Sequence, residues 1–113
     1  MLYIYFFISN KVEWTLVGMN KAVNKQVHAL KDEFSKGYEM MEKHLESTPT
    51  QGITGTLKQT VLNTRVWEYK LPSGHRVLYT LNAKERLVII GYAGVHLNKH
   101  CTDTIINQLG KLC

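Results

Sequence analysis

The sequence predicts a single α+β domain in which an N-terminal strand and a helical hairpin pack on a small antiparallel sheet. Apolar residues recur every three or four positions across residues 16–46, the period of an amphipathic helix. Residues 65–92 instead alternate or run apolar between turn signals, as strands do. The length of 113 residues and a hydrophobic content of 44% suit one modest core. Because no repeat, low-complexity tract or linker divides the chain, we expect one domain over residues 1–113.

The first ten residues, MLYIYFFISN, are strongly apolar. The run is too short to cross a bilayer, has no Lys or Arg before it, and lacks a small-residue cleavage site. A membrane span and a secretory signal are therefore disfavoured, and the β-branched and aromatic content favours a strand. We expect residues 1–14 to be extended, with residues 1–10 either an edge strand or an extension ahead of the domain.

The helical pattern begins near Leu16 and ends near Glu46. Breaks are expected at Ser35–Gly37 and at Gly18–Asn20, where glycine and small polar residues interrupt it. We therefore predict two helices packed as a hairpin, followed by a loop over residues 47–55. The apolar positions of the hairpin are Val23, Val27, Leu30, Phe34, Tyr38, Met41 and Leu45.

The second half of the chain is rich in strand signals. Residues 65–71 alternate, Pro72–Gly74 is a tight-turn sequence, and residues 76–81 run back after it. Residues 87–92 form the most hydrophobic segment, which we expect to be a central strand. Residues 101–112 are compatible with a short closing helix.

Fourteen Lys and Arg against nine Asp and Glu give a formal charge of +5. A basic balance of this size suits nucleic acid, an acidic protein or a membrane surface, or a soluble protein with a basic surface. Cys101 and Cys113 match no zinc or redox spacing, so we expect reduced thiols in a cytoplasmic protein in preference to a terminal disulfide. No metal or cofactor is expected, since His96 and His100 have no strong third ligand nearby and no Gly-rich phosphate loop is present.

Strand alternation predicts which side chains face away from the helices. If Trp67 and Tyr69 pack inward, Glu68 and Lys70 lie on the opposite face. Arg76 joins them from the return strand. The even-numbered residues from Val88 to His96 are expected to share one side of the last strand, and His96 joins the group if that side is the open one. Lys58, just before this region, adds a phosphate contact.

These residue types suit metal-free cleavage of a phosphodiester. That reaction needs a base for the 2′-hydroxyl proton, an acid for the leaving 5′-oxygen and cations for the phosphate charge. Arg76 binds phosphate through its planar fork, and His96 or Glu68 can exchange the protons. The competing interpretation is a solvated surface with weak ion pairs.

Leu57–His96 resembles the sheet core of RelE/ParE-family toxins. The family order is a strand, a helical hairpin, a connection with Leu followed by a basic residue, an alternating strand, an "xRVxY" strand and a hydrophobic strand ending in Gly or His. In this chain KVEW at Lys11–Trp14 matches the first strand, and Pro49 ends the hairpin. The resemblance covers roughly residues 11–101.

This resemblance implies the toxin of a toxin–antitoxin pair. The expected activity is endoribonucleolytic cleavage of mRNA, often on the ribosome, that leaves a 2′,3′-cyclic phosphate and a 5′-hydroxyl without metal. By position, Arg76 matches the phosphate-stabilising arginine, Lys58 and Lys70 match basic residues, and His96 matches a site of His or Arg. The implied partners are mRNA, the ribosome and a cognate antitoxin, with no membrane.

The chain departs from the family pattern at three points. Gly55 and Thr56 stand where some members carry a glutamate base, and Glu68 stands where others carry Lys. A tyrosine often found near the last strand is replaced by Leu97 or Thr102. Two alternatives therefore stay open: a ParE-type inhibitor of DNA gyrase without nuclease activity, and an inactive nucleic-acid-binding relative.

Overall fold

The computed structural model describes residues 13–112. The expectations for residues 1–10 and for Cys113 lie outside this range. The elements in chain order are β1 (Thr15–Gly18), α1 (Lys21–Glu33), α2 (Ser35–Ser47), β2 (Leu57–Gln59), β3 (Trp67–Lys70), β4 (Arg76–Asn82), β5 (Leu87–Gly94) and α3 (Lys99–Gly110).

Five strands form one sheet in the order β1-β5-β4-β3-β2. The three hairpin-connected pairings are antiparallel, as predicted, whereas β1 lies parallel to β5. The sheet is therefore mixed, and the α+β class is confirmed. β5 is an interior strand with a partner on each side, which explains its high apolar content.

The start of the fold differs from the sequence-based expectation. Of KVEW, Glu13 and Trp14 lie before the first strand, which begins at Thr15, and the helical pattern placed at Leu16 begins only at Lys21. Leu16 pairs with Val88 in the sheet. The helix begins where it does because the Asn20 side chain accepts a hydrogen bond from the backbone N–H of Val23 at 3.0 Å, an N-cap.

The helical hairpin is confirmed, with its break at Phe34. This residue has φ −127° and ψ 56°, outside the helical region, and it separates α1 from α2. The predicted break at Ser35–Gly37 lies one residue too late. The Phe34 side chain is half-buried against the main core, so the apolar residue of the pattern marks the bend itself.

Hydrophobic clusters form on both faces of the sheet. The larger one joins the helical hairpin to the face that carries Tyr69, Val77 and Tyr79. The smaller one lies under α3 and contains Val66, Leu78, Ile106 and Leu109. The closing helix is confirmed, but it covers much of the face that the sequence left open. Among the described residues, Glu68 and Arg76 lie on this face but outside the cluster under α3.

A β-bulge lies between β4 and β5. Leu78 pairs with Tyr92 while Tyr79 pairs with Ile90, so Gly91 is an extra residue. Before the bulge Val88 and Ile90 face the hairpin, and after it Tyr92 faces α3. The expectation that even-numbered residues from 88 to 96 share one side is therefore wrong, because the bulge reverses the alternation.

Gly91 admits the side chain of Leu109 from α3. A Cβ at Gly91 would lie 2.6–2.7 Å from three Leu109 carbon atoms. We expect Gly91→Ala to lower the free energy of unfolding by about 1–3 kcal/mol through overpacking. Urea unfolding measures this, with Gly52→Ala as the control, because a Cβ there meets its nearest atom at 3.4 Å.

Coupling to Leu109 distinguishes overpacking from a general glycine effect. Leu109→Ala alone is expected to cost about 2–5 kcal/mol. In that background Gly91→Ala should cost much less than in the wild-type chain. Equal costs in the two backgrounds would contradict the packing explanation.

Tyr38 of α2 makes the stability sensitive to alkaline pH. Burial, together with the charges of Glu42 and Glu46, raises the pKa of Tyr38 from 10.0 to about 12. The unfolded chain therefore releases this proton first as the pH rises above 10, and the stability falls between about pH 10 and 12. We expect Tyr38→Phe to flatten this fall in urea unfolding, and an unchanged slope would refute the assignment.

Candidate active site on the sheet

Four of the five predicted site residues meet on one face of the sheet. Lys58 lies opposite Glu68 across the β2–β3 pair, and Lys70 lies opposite Arg76 across the β3–β4 pair. Glu68 and Lys70 are two positions apart on one strand and so point to the same side. All four line one groove of about 260 Å³.

The other wall of the groove is the turn over residues 53–56. Ile53 and Leu57 exchange two backbone hydrogen bonds, and Thr56 N–H also donates to the Ile53 carbonyl at 2.9 Å. Gly55 has φ +76°, a conformation that favours glycine. The sequence pattern predicted a loop ending at Gly55 but did not place it at the groove. The turn-forming sequence Thr54–Gly55–Thr56, two residues before Lys58, could have indicated a turn beside this basic residue.

Arg76 and Glu68 are close but not hydrogen-bonded. Arg76 Nε lies 3.7 Å from Glu68 Oε1, and their side chains are only 17% and 16% exposed. Arg76 donates through Nη1 to the Gly74 carbonyl. Its Nε is buried and finds no hydrogen-bond partner among the described residues. Since a buried donor is usually satisfied, this unpaired N–H beside Glu68 departs from the ordinary pattern of a folded interior.

The charged side chains of the groove favour an anion. Lys58, Lys70 and Arg76 stand against Glu68, three cations to one carboxylate, a net charge of +2. Lys58 and Lys70 are exposed to solvent, whereas Arg76 and Glu68 are largely buried and are screened less than charges in open water. The arrangement therefore favours an anion beside a fixed carboxylate.

His96 lies apart from the groove. Arg76 pairs with Gly94 at the end of β5, and His96 follows two residues later as an exposed side chain. It lines a separate depression with Asn98, Lys99 and neighbouring residues at the start of α3. The structure therefore leaves His96 at the same end of the sheet as Arg76 but outside the groove. His100 lies in the first turn of α3 and is also exposed.

Three further findings concern metal, thiol and membrane chemistry. Within residues 13–112 no three His, Cys, Asp or Glu side chains cluster in a way that would hold a metal ion. Cys101 is a free, exposed thiol. No helix in the described part of the chain is long and apolar enough to cross a bilayer.

The groove predicts a measurable affinity for anions. Inorganic phosphate at about ten times its dissociation constant should stabilise the protein by about 1.4 kcal/mol beyond sodium chloride of equal ionic strength. Arg76→Ala should abolish this excess in thermal unfolding, whereas Lys84→Ala, an exposed lysine in the β4–β5 turn, should retain it. Equal stabilisation of Arg76→Ala and wild type would place the anion elsewhere.

The fold is similar to that of a known toxin. No protein-family model matches the sequence, and no curated protein matches it. A solved structure of the toxin RelE of E. coli, a double arginine-to-alanine mutant in the free state, matches with a TM-score of 0.60 at 17% sequence identity. The match covers 86% of this chain and 98% of that chain. The predicted resemblance is confirmed at the level of structure, and the chain has a RelE-like α+β fold.

Proposed function

We propose that this protein is the toxin of a toxin–antitoxin pair and cleaves mRNA as an endoribonuclease. The observation that carries the proposal is the half-buried Arg76, whose Nε lacks a hydrogen-bond partner among the described residues and faces the Glu68 carboxylate in a basic groove. The RelE-like fold supports the same function, since that neighbour is a toxin.

Arg76 binds the scissile phosphate in this proposal. Its Nη1 is held by the Gly74 carbonyl, and the Arg76 side chain lines the groove beside Glu68. Charge-assisted hydrogen bonds from a guanidinium to phosphate oxygens are short and strong. The bound cation stabilises the negative charge that grows on the phosphorane oxygens as the nucleophile attacks. Lys58 and Lys70 hold the neighbouring phosphates of the strand.

Glu68 acts as the general base. Its carboxylate takes the proton of the 2′-hydroxyl, and the 2′-oxygen then forms a bond to phosphorus. The bond from phosphorus to the 5′-oxygen breaks, and that oxygen leaves with the bonding pair and takes a proton. The products are a 2′,3′-cyclic phosphate and a 5′-hydroxyl, and no step requires a metal ion.

His96 supplies the proton to the leaving oxygen. A protonated imidazole is a suitable acid near neutral pH. His96 lies two residues beyond Gly94, the strand partner of Arg76. It is therefore at the same end of the sheet as Arg76 but outside the groove. An RNA strand bound across Arg76 brings the leaving nucleotide toward this end. The ribosome is the proposed setting, with the cytoplasm as the compartment.

The proposed inhibitor is a cognate antitoxin with an acidic or disordered segment. Such segments fold on binding and cover large surfaces, and acidic side chains would neutralise the net positive groove. Binding should therefore depend on Lys58, Lys70 and Arg76 and weaken with added salt. A purified protein without affinity for any acidic product of an adjacent gene would remove this part of the proposal.

Inducible expression in a bacterium with primer extension on a known transcript tests the nuclease. We expect growth arrest and new cleavage ends. Arg76→Ala should lower kcat/KM on a purified RNA by about 10²–10³-fold, the usual loss for a transition-state donor. Arg65→Ala is the matched control, because Arg65 is exposed and does not line the groove.

Glu68→Gln separates catalysis from binding. We expect cleavage to fall by about 10²–10⁴-fold, as for loss of a general base, while a 2′-deoxy oligonucleotide binds more tightly because the carboxylate charge is gone. His96→Ala should lower kcat and leave that binding nearly unchanged.

Cleavage by Arg76→Ala at the wild-type rate would refute the proposed nuclease activity. Growth arrest with intact transcripts would instead indicate a protein target such as gyrase.

A further inference from the structure

We propose that His75 is a positioning residue for Arg76. It clamps the tight turn between β3 and β4, and this turn supplies the Gly74 carbonyl that orients the guanidinium. The effect of His75 on cleavage rests on the proposed function, whereas its effect on the conformation of Arg76 does not. Strand alternation directs the His75 side chain away from Arg76, so its effect on the guanidinium is indirect.

The turn itself is closed by backbone hydrogen bonds. Leu71 N–H donates to the His75 carbonyl at 2.9 Å, and Gly74 N–H donates to the Leu71 carbonyl at 2.9 Å. Gly74 has φ +91°, so its backbone conformation is one that other residues rarely adopt. The direction of the Gly74 carbonyl, and hence the position of Arg76 Nη1, depends on this conformation.

The His75 side chain connects the turn to the helical hairpin. Its Nδ1 lies 2.9 Å from Ser73 Oγ, within the turn. Its ring lies on the Phe34 ring, with centroids 4.4 Å apart and an interplanar angle of 45°. Phe34 is the break between α1 and α2 and packs against the main core. His75 is therefore held at two points, one on the turn and one on the core.

This double attachment matters because Arg76 is the next residue. Few other contacts fix the guanidinium, since Nε has no hydrogen-bond partner in the described chain and Glu68 is 3.7 Å away. If the turn moves, the Gly74 carbonyl moves with it and the guanidinium turns. His75 lies away from the groove-lining residues, so its influence reaches the site through the turn.

The Nε–Hε signal of Arg76 in an NMR spectrum reports its position directly. The signal is assigned by its loss in Arg76→Ala. We expect wild type to give one sharp, slowly exchanging signal, because Nε is buried. His75→Ala should broaden it and move it toward the value of an exposed arginine.

Two conservative variants divide the contacts of His75. His75→Asn retains a polar group for Ser73 but loses the ring, and His75→Phe retains the ring but loses the polar contact. Each should give an intermediate signal, and both remain informative if His75→Ala does not fold. Ile106→Val is the control, because it weakens the cluster under α3 without touching the turn. Its Arg76 signal should stay as in wild type.

Cleavage kinetics give the second readout. We expect His75→Ala to lower kcat by about 10-fold to 100-fold, the effect of a small misplacement of a catalytic group, with KM changed less than about 3-fold. An Arg76 signal that is unchanged in all three His75 variants would overturn the proposal. If the signal changes in the His75 variants but the wild-type protein cleaves no RNA, the positioning role is supported and the nuclease is refuted. If the signal is unchanged in the variants and the wild-type protein cleaves RNA, the reverse holds.

Discussion

The burial of β4 on both faces is the constraint on which the rest of the structure depends. Val77 and Tyr79 face the helical hairpin, Leu78 and Thr80 face the side that carries α3, and each is 2% exposed or less. A strand held in this way cannot slide, because a shift of one residue would exchange its two faces. Arg76 is the first residue of this strand and lies just beyond the cover of α3. The groove therefore exists where a rigid strand emerges from the core, which is a favourable place for a group that must be positioned accurately.

Burial distinguishes the Arg76–Glu68 pair from an ordinary exposed ion pair. The Lys99–Asp103 pair is shorter, at 2.8 Å, but the Lys99 side chain is 89% exposed, and such pairs contribute little. Arg76 and Glu68 are farther apart, at 3.7 Å, yet each keeps less than a fifth of its side chain in water. A half-buried cation with an unused donor carries a desolvation cost that a bound anion would remove. The Lys99–Asp103 pair is therefore a solvated ion pair, whereas the Arg76–Glu68 pair differs from one in its burial, and the proposed function depends on that difference.

Short-range rules predicted that Glu68, Lys70 and Arg76 share one face of the sheet, and long-range packing decided what these rules missed. Alternation alone placed Glu68 and Lys70 opposite Trp67 and Tyr69, and the Pro72–Gly74 turn fixed Lys70 opposite Arg76. The side on which His96 lies depends on the bulge at Gly91, whose missing side chain makes room for Leu109 eighteen residues later. Nothing local to either residue reveals that contact. The parallel pairing of β1 with β5 and the start of α1 likewise depend on the sheet that forms around them.

Glu68, the carboxylate among the groove-lining residues, has two consecutive roles in the proposed function. Lys58 and Glu68 are cross-strand partners, and opposite charges in such a pair favour the antiparallel arrangement. In the proposed function, Glu68 offsets the mutual repulsion of the three surrounding cations before RNA binds. A bound phosphate would then replace it as their counter-ion, and the carboxylate would accept a proton beside the bound strand. The same side chain would thus stabilise the empty groove and act as the base once the groove is filled, which would reconcile a glutamate with a groove of net positive charge.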